Sequence, residues 1–232
     1  GLVNSTSLPS SSCPVFRFQI KINLFSLFVS RCCSFRQAAG GKHKIIHHDV
    51  RMDKYGHIVT LIRNSKIVDM RPYGGSGMDT LGGDGILVMD TTGKELWTWS
   101  VWDVWDISKD PYIKRFAYDR FHINCINFDT DGNYLVSVAI EDQIWKINAK
   151  TGKIMWKLGK DGDFKMDTTC YFSFQHSVHI NPQGDLMVFD NSLWKKVSGG
   201  VSFKLDTVNK VATTVIKATL PPNKYTSRMG SA

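Results

Sequence analysis

The 232-residue sequence predicts an all-β protein, a β-propeller of which this chain carries about three blades as an incomplete fragment. Three observations lead there. Aromatic residues make up 12% of the chain, with seven Trp and thirteen Phe, a composition that favours strands. Two kinds of hairpin motif recur and interleave along the sequence. The resulting units of about 50–75 residues with four short strands each follow the pattern of propeller blades, in which every blade sends one innermost strand to a central channel.

The first motif is Asp90-Thr91-Thr92-Gly93-Lys94-Glu95-Leu96-Trp97, matched by Asn148-Ala149-Lys150-Thr151-Gly152-Lys153-Ile154-Met155-Trp156. Each lies between short apolar runs, Gly85–Met89 with Glu95–Trp99, and Gln143–Ile147 with Lys153–Leu158. Asx-x-x-Thr-Gly-Lys between two such runs is hairpin chemistry, with Gly supplying the positive φ. Val201–Asp206 followed by Val211–Leu220 is a looser third copy. The second motif is a polar strand, a turn ending in Gly, then an apolar strand: His48–Leu61 around Gly56, His122–Val136 around Gly132, and His176–Phe189 around Gly184. Tyr225–Ala232 looks like the opening of a fourth copy. The long first interval is assigned to a Gly-rich loop, Gly74–Gly85, and to a connection over Ser100–Asp119.

Charge divides the chain unevenly. Six of the 29 Lys/Arg and none of the 21 Asp/Glu fall in residues 1–44, so the remainder is nearly neutral and the formal charge of +8 belongs to the N-terminal segment. A nucleic-acid partner would want a basic face on the folded part, and none is expected. Residues 1–44, Ser-rich and acid-free, are expected to be unstructured, with the folded part over 45–232. No stretch reaches the roughly 20 apolar residues of a membrane span. Cys13, Cys32, Cys33, Cys125 and Cys170 show no metal-ligand spacing, and Cys125 and Cys170 are expected to be buried thiols.

The repeat phase singles out a set of polar residues. His48, Asn124 and His176 each stand eight residues before the turn glycine of their copy, and His122 precedes Asn124 by two, on the same face of a pleated strand. Equivalent positions of successive blades face one axis, so His48, His122, Asn124 and His176 are expected to converge. Such a cluster suits an anion site or nucleophilic catalysis. A metal is not expected, since no carboxylate shares the phase and no His pair has helical spacing. His47 and His179 are expected to face away, and His43 and His57 to lie outside the cluster.

His47-His48-Asp49, Gly85–Trp99, His122-Ile123-Asn124, Gln175-His176 and Val188-Phe189-Asp190-Asn191 together resemble the arylsulfate sulfotransferase family, the enzymes that use no nucleotide sulfate donor. The resemblance runs in unbroken order over residues 45–232. It implies a six-bladed propeller, usually exported to the periplasm or secreted, and transfer of a sulfuryl group from a phenolic sulfate ester to a phenol without any cofactor. It implies His176 as the nucleophile that is transiently sulfated, with His48, His122 and Asn124 contacting the sulfuryl and phenolic oxygens. One departure stands out: the family carries an Arg on the strand after the His-x-Asn motif, and Val136–Asp142 has none. Two other readings remain open at this point. A quinoprotein propeller would share the Thr-Gly-Lys-x-x-Trp hairpins, but needs a calcium-binding set that the phase does not supply. A non-catalytic or decayed binding propeller would share everything except the chemistry.

Overall fold

The computed structural model describes residues 35–39, 42–221 and 224–232. The chain is all-β, with fourteen strands in three sheets among these residues. The first sheet holds β1 (Phe35–Ala39), β2 (Lys42–Met52), β3 (Ile58–Asp69), β4 (Met78–Met89) and β5 (Glu95–Ser100), in that order and antiparallel. The second is β6 (Ile123–Phe128), β7 (Tyr134–Val138), β8 (Gln143–Ile147) and β9 (Ile154–Gly159), again in order. In the third, β11 (His176–Ile180), β12 (Leu186–Asp190), β13 (Gly199–Asp206) and β14 (Val211–Thr219) form the meander, and the two-residue β10 (Lys165–Met166) adds in parallel to the start of β14.

Turn chemistry sets these hairpins. In the first motif Asp90 Oδ1 accepts from the N–H groups of Thr92 and Lys94, and Asn148 Oδ1 from those of Lys150 and Thr151. The looser copy uses Asp206 in the same way, with Lys210 at φ +55° where the other two have glycine. In the second motif Asp53, Asp129 and Asn181 cap the turns, and Gly56, Gly132 and Gly184 sit at φ +81° to +86°. Side chains of Asx residues accepting two residues on are what make such turns local and readable.

Three expectations are corrected here. The first sheet begins before residue 45: Phe35–Ala39 pairs with β2, whose own first residue is Lys42. Of the rest of the segment expected to be unstructured, residues 1–34, with Cys13, Cys32 and Cys33, and residues 40–41 lie outside the described residues. The Gly-rich stretch is a loop only as far as Gly77. From Met78 it is strand, because β3 and β4 pair over their whole length and Gly82, Gly83 and Gly85 are part of that ladder. Tyr225–Ala232 contains no strand and is laid against Asn191 and Ser177 instead.

The second sheet is covered on both faces, so every residue of β7 and β8 is buried. Tyr134, Val136, Val138, Trp145 and Ile147 pack against Val59, Leu61, Ile86, Val88 and Trp99 of the first sheet. Leu135 and Ile144, on the opposite side of the pleat, pack with Val178, Leu186, Val188, Val201 and Phe203 of the third. Period-two alternation thus sorts one strand's side chains into two cores. Cys125 and Cys170 are buried free thiols.

The leading strands of the three sheets are neighbours, β6 lying between β2 and β11. Side chains fasten them. Asp49 Oδ2 accepts from the Ile126 N–H, Asp84 Oδ2 from the Ile123 N–H, and Asn127 Nδ2 donates to the Val178 carbonyl. Among the described residues no helix is long and apolar enough to cross a membrane.

Candidate functional site

Each leading strand carries a β-bulge where a repeat-phased polar residue stands. The β2–β3 register shifts between His47 and Val50, β6–β7 between Ile123 and Cys125, and β11–β12 between His176 and His179. His48, His122 and Ser177, at or beside these bulges, adopt φ of +56°, +51° and +57°. Bulges re-aim side chains, and non-glycine residues at positive φ persist only where the surroundings hold them.

The four expected residues lie along one run of contacts in which Phe174 stands between His122 and His176, a different geometry from simple alternation. The His48 and His122 rings meet edge to face with centroids 5.0 Å apart. His122 stacks on Phe174 at 5.3 Å, and Phe174 in turn meets His176 at 6.1 Å. Asn124 is buried, and its Nδ2 donates to the Gln175 carbonyl over 2.9 Å. Its Oδ1 has no hydrogen-bond partner among the described residues. Asn124 therefore belongs as much to the clamp on the Gln175-His176 peptide as to the cleft. His122 precedes β6, at positive φ, so the pleat does not align it with Asn124.

His176 has one settled tautomer. Asn191 Nδ2 donates to the carbonyls of Thr226 and Met229, which fixes the amide orientation and leaves Oδ1 facing His176 Nδ1 at 2.8 Å. The Phe174 carbonyl stands 3.2 Å from the same nitrogen. Both neighbours are acceptors, so Nδ1 carries the proton and Nε2 keeps its lone pair. Burial pushes His176 below the ordinary imidazole range, with the hydrogen bonds it donates to Asn191 and Phe174 opposing and nearby His122 adding to the effect. Gln175 anchors this segment from the second sheet. Fully buried, its Nε2 donates to Ser137 Oγ and to the Val138 and Gln143 carbonyls.

His48 is backed by His47, which is 4% exposed: the two Nδ1 atoms are 2.7 Å apart. Desolvation, then the neighbouring His47 and His122, hold His48 down to about 4. His47 faces away from the cleft as expected, but toward Asp84 (Nε2 to Oδ1, 3.3 Å) and in contact with His48. His179 turns its Nδ1 to the Ser177 carbonyl.

Sequence reasoning missed the groups behind these rings. Asp119 Oδ2 lies 2.5 Å from His122 Nδ1, and Arg63 Nη1 touches Asp119 Oδ1 at 2.8 Å and Asp84 Oδ1 at 3.3 Å. Burial works to raise Asp119, but the hydrogen bonds from His122 and Arg63 outweigh it and hold the carboxyl well below the usual range. Asn191 was part of a quoted motif without a role. Phe174, at φ +52° with its N–H on Asp142 Oδ1, carried no signal at all. Among the described residues no group of three or more His, Cys, Asp or Glu is arranged to hold a metal ion.

Three histidines and an amide thus lie close together, with no hydrogen bond to His176 Nε2 among the described residues, a set whose chemistry suits a tetrahedral anion. The profile of the family described as Arylsulfotransferase (ASST) matches residues 34–229, most of the chain. The chain belongs to the arylsulfotransferase family. Every element from β1 to β14 falls within the matched arylsulfotransferase region. Among solved structures, one described as a protein of unknown function from Bacteroides caccae is similar over 74% of this chain and 68% of that one, at 14% identity and a TM-score of 0.38. No curated protein matches the chain.

Proposed function

We propose that this arylsulfotransferase-family protein moves a sulfuryl group from a phenolic sulfate ester to a phenol through a sulfated His176. The observation that carries the reading is the fixed tautomer of His176: Nδ1–H held by Asn191, Nε2 bare and, with its basicity lowered by burial, unprotonated near neutral pH. The Nε2 lone pair forms an N–S bond as the S–O bond to the donor breaks, and that electron pair leaves on the phenolate oxygen. His122, doubly protonated against the Asp119 carboxylate, protonates the departing oxygen from Nε2. In the second half the acceptor phenol gives its proton to the same imidazole, its oxygen bonds to sulfur, and the N–S electrons return to Nε2. Like phosphoryl transfer, such a reaction spreads charge over equatorial oxygens, and this reading gives His48, His122 and Asn124 the role of hydrogen-bonding them.

The same reading makes the three sheets successive blades of a propeller, with β2, β6 and β11 as the inner strands; the side-by-side placement of those strands supports it. Export to a periplasmic or extracellular compartment goes with it and is checked by cell fractionation.

The test of the reaction is intact-mass and peptide mass spectrometry after mixing with an activated phenyl sulfate, beside His176→Ala. A sulfuryl adduct on His176 that disappears on adding a phenol is expected. Absence of both adduct and phenol release would leave a cleft that binds without transferring.

A further inference from the structure

Two carboxylates stand behind the site histidines, and one guanidinium joins them. Asp84, on β4, is fully buried; its Oδ2 takes the Ile123 N–H and its Oδ1 lies near both Arg63 Nη1 and His47 Nε2. Asp119 reaches the same Arg63 nitrogen from the connection before β6 and takes His122 Nδ1 on its other oxygen. Three segments far apart in sequence therefore meet behind two rings that face one cleft.

An ionised carboxylate only accepts, so at the Asp119 contact His122 Nδ1 donates. Arg63 Nη1 donates to the other oxygen of the same carboxylate and holds it in place. Resting on the proposed sulfuryl transfer, we infer that Asp119, held by Arg63, is a positioning residue that keeps the proton of a neutral His122 on Nδ1. His122 Nε2 is thereby left to take the proton of the acceptor phenol. Arg63 acts through the carboxylate instead of on the sulfuryl group.

Free imidazole prefers the opposite tautomer, so the arrangement has a spectroscopic signature. Nitrogen-15 spectra of histidine-labelled protein, at a pH high enough for the rings to be neutral, are expected to show His122 protonated at Nδ1. Asp119→Asn can turn its amide N–H₂ to that nitrogen; it is expected to move the His122 proton to Nε2. The same variant should lower kcat for an activated phenyl sulfate by about 10²–10⁴-fold, the range of general acid–base catalysis, with KM little changed. A wild-type His122 protonated at Nε2, or no change of tautomer in Asp119→Asn, overturns the inference. Both nitrogen readouts are independent of turnover. The expected tautomers in a protein that forms no sulfuryl adduct would therefore leave the positioning network standing and remove the transfer reaction.

Discussion

Two side chains near the histidine cluster, His48 exposed and Asp142 half-buried, carry opposite pH signatures. His48 is held down to about 4 by burial and by its histidine neighbours, so the unfolded chain binds a proton that the folded one refuses between about 6.5 and about 4. Its contribution is fully present above the ordinary imidazole range and is lost as pH falls through that window. Asp142 is pushed up to about 6, mainly by burial and secondarily by Asp190, against the hydrogen bonds from Phe174 and Trp194. Here the folded chain holds the extra proton, so stability falls as pH rises from the ordinary carboxylate range to about 6 and is level above it. The two effects oppose each other below pH 6, and a wild-type pH profile would hide both. Urea titrations of His48→Gln and Asp142→Asn against wild type separate them. The difference between His48→Gln and wild type should move in the variant's favour as pH falls from about 6.5 to about 4. That for Asp142→Asn should move in the variant's favour as pH rises from about 4 to about 6. At about 1.4 kcal/mol per pH unit, the Asp142 change is on the order of 3 kcal/mol; the His48 ring is exposed, so solvent screening makes its change smaller. Parallel curves in either comparison would mean that the group titrates alike in both states.

At the level of elements, a glycine decides how the cleft is backed. A Cβ on Gly82 would stand 1.8 Å from the Tyr118 carbonyl, because the connection before β6 runs directly over β4 there and bonds to its backbone. That crossing delivers Asp119 to Arg63 and His122. Gly132, by contrast, sits at φ +81° in a turn with open space around it. Gly132→Ala should cost about 1 kcal/mol, from conformation alone, and leave turnover unchanged. Gly82→Ala should cost about 1–3 kcal/mol by overpacking and lower turnover as well, since Asp119 moves with Tyr118. Equal turnover in the two variants would sink this account of the crossing. The contrast also marks what sequence could reveal. Gly132 was legible because an Asx residue three positions earlier and two flanking apolar runs define the turn locally. Gly82 lay in a run of glycines read as loop, since nothing local announces a backbone arriving from Tyr118. The site divides the same way. Repeat phase brought out His48, Asn124 and His176, whereas Arg63, Asp84, Asp119 and Phe174 meet through the packing of unrelated segments, which no spacing records. The pleat argument for His122 failed because positive φ and bulges replace alternation on every leading strand.

For the molecule as a whole, the three-sheet stack buries the second sheet on both faces and leaves β14 on the outside of the third. β10 covers only Val211 and Ala212 of that strand, so the ladder groups on the outer side of Thr213–Thr219 find no strand among the described residues. Val215 and Ile216 add 50% and 46% exposed apolar side chains on this strand. An uncovered edge with apolar side chains is a template for pairing with another chain, and natural sheets blunt such edges with charge. The chain is therefore expected to self-associate as its concentration rises. Sedimentation velocity across a concentration series checks this, beside Val215→Lys and Ile216→Lys. Each Lys substitution should shift the weight-average mass toward monomer without altering the cleft, because β14 is the far side of the third sheet from β11. The double variant would also be the form to use for nitrogen spectroscopy of the histidines. A wild-type chain that stays monomeric at all concentrations would show that the edge is harmless as it stands. The exposed Val215 and Ile216 would then be scattered surface apolar residues of the ordinary kind.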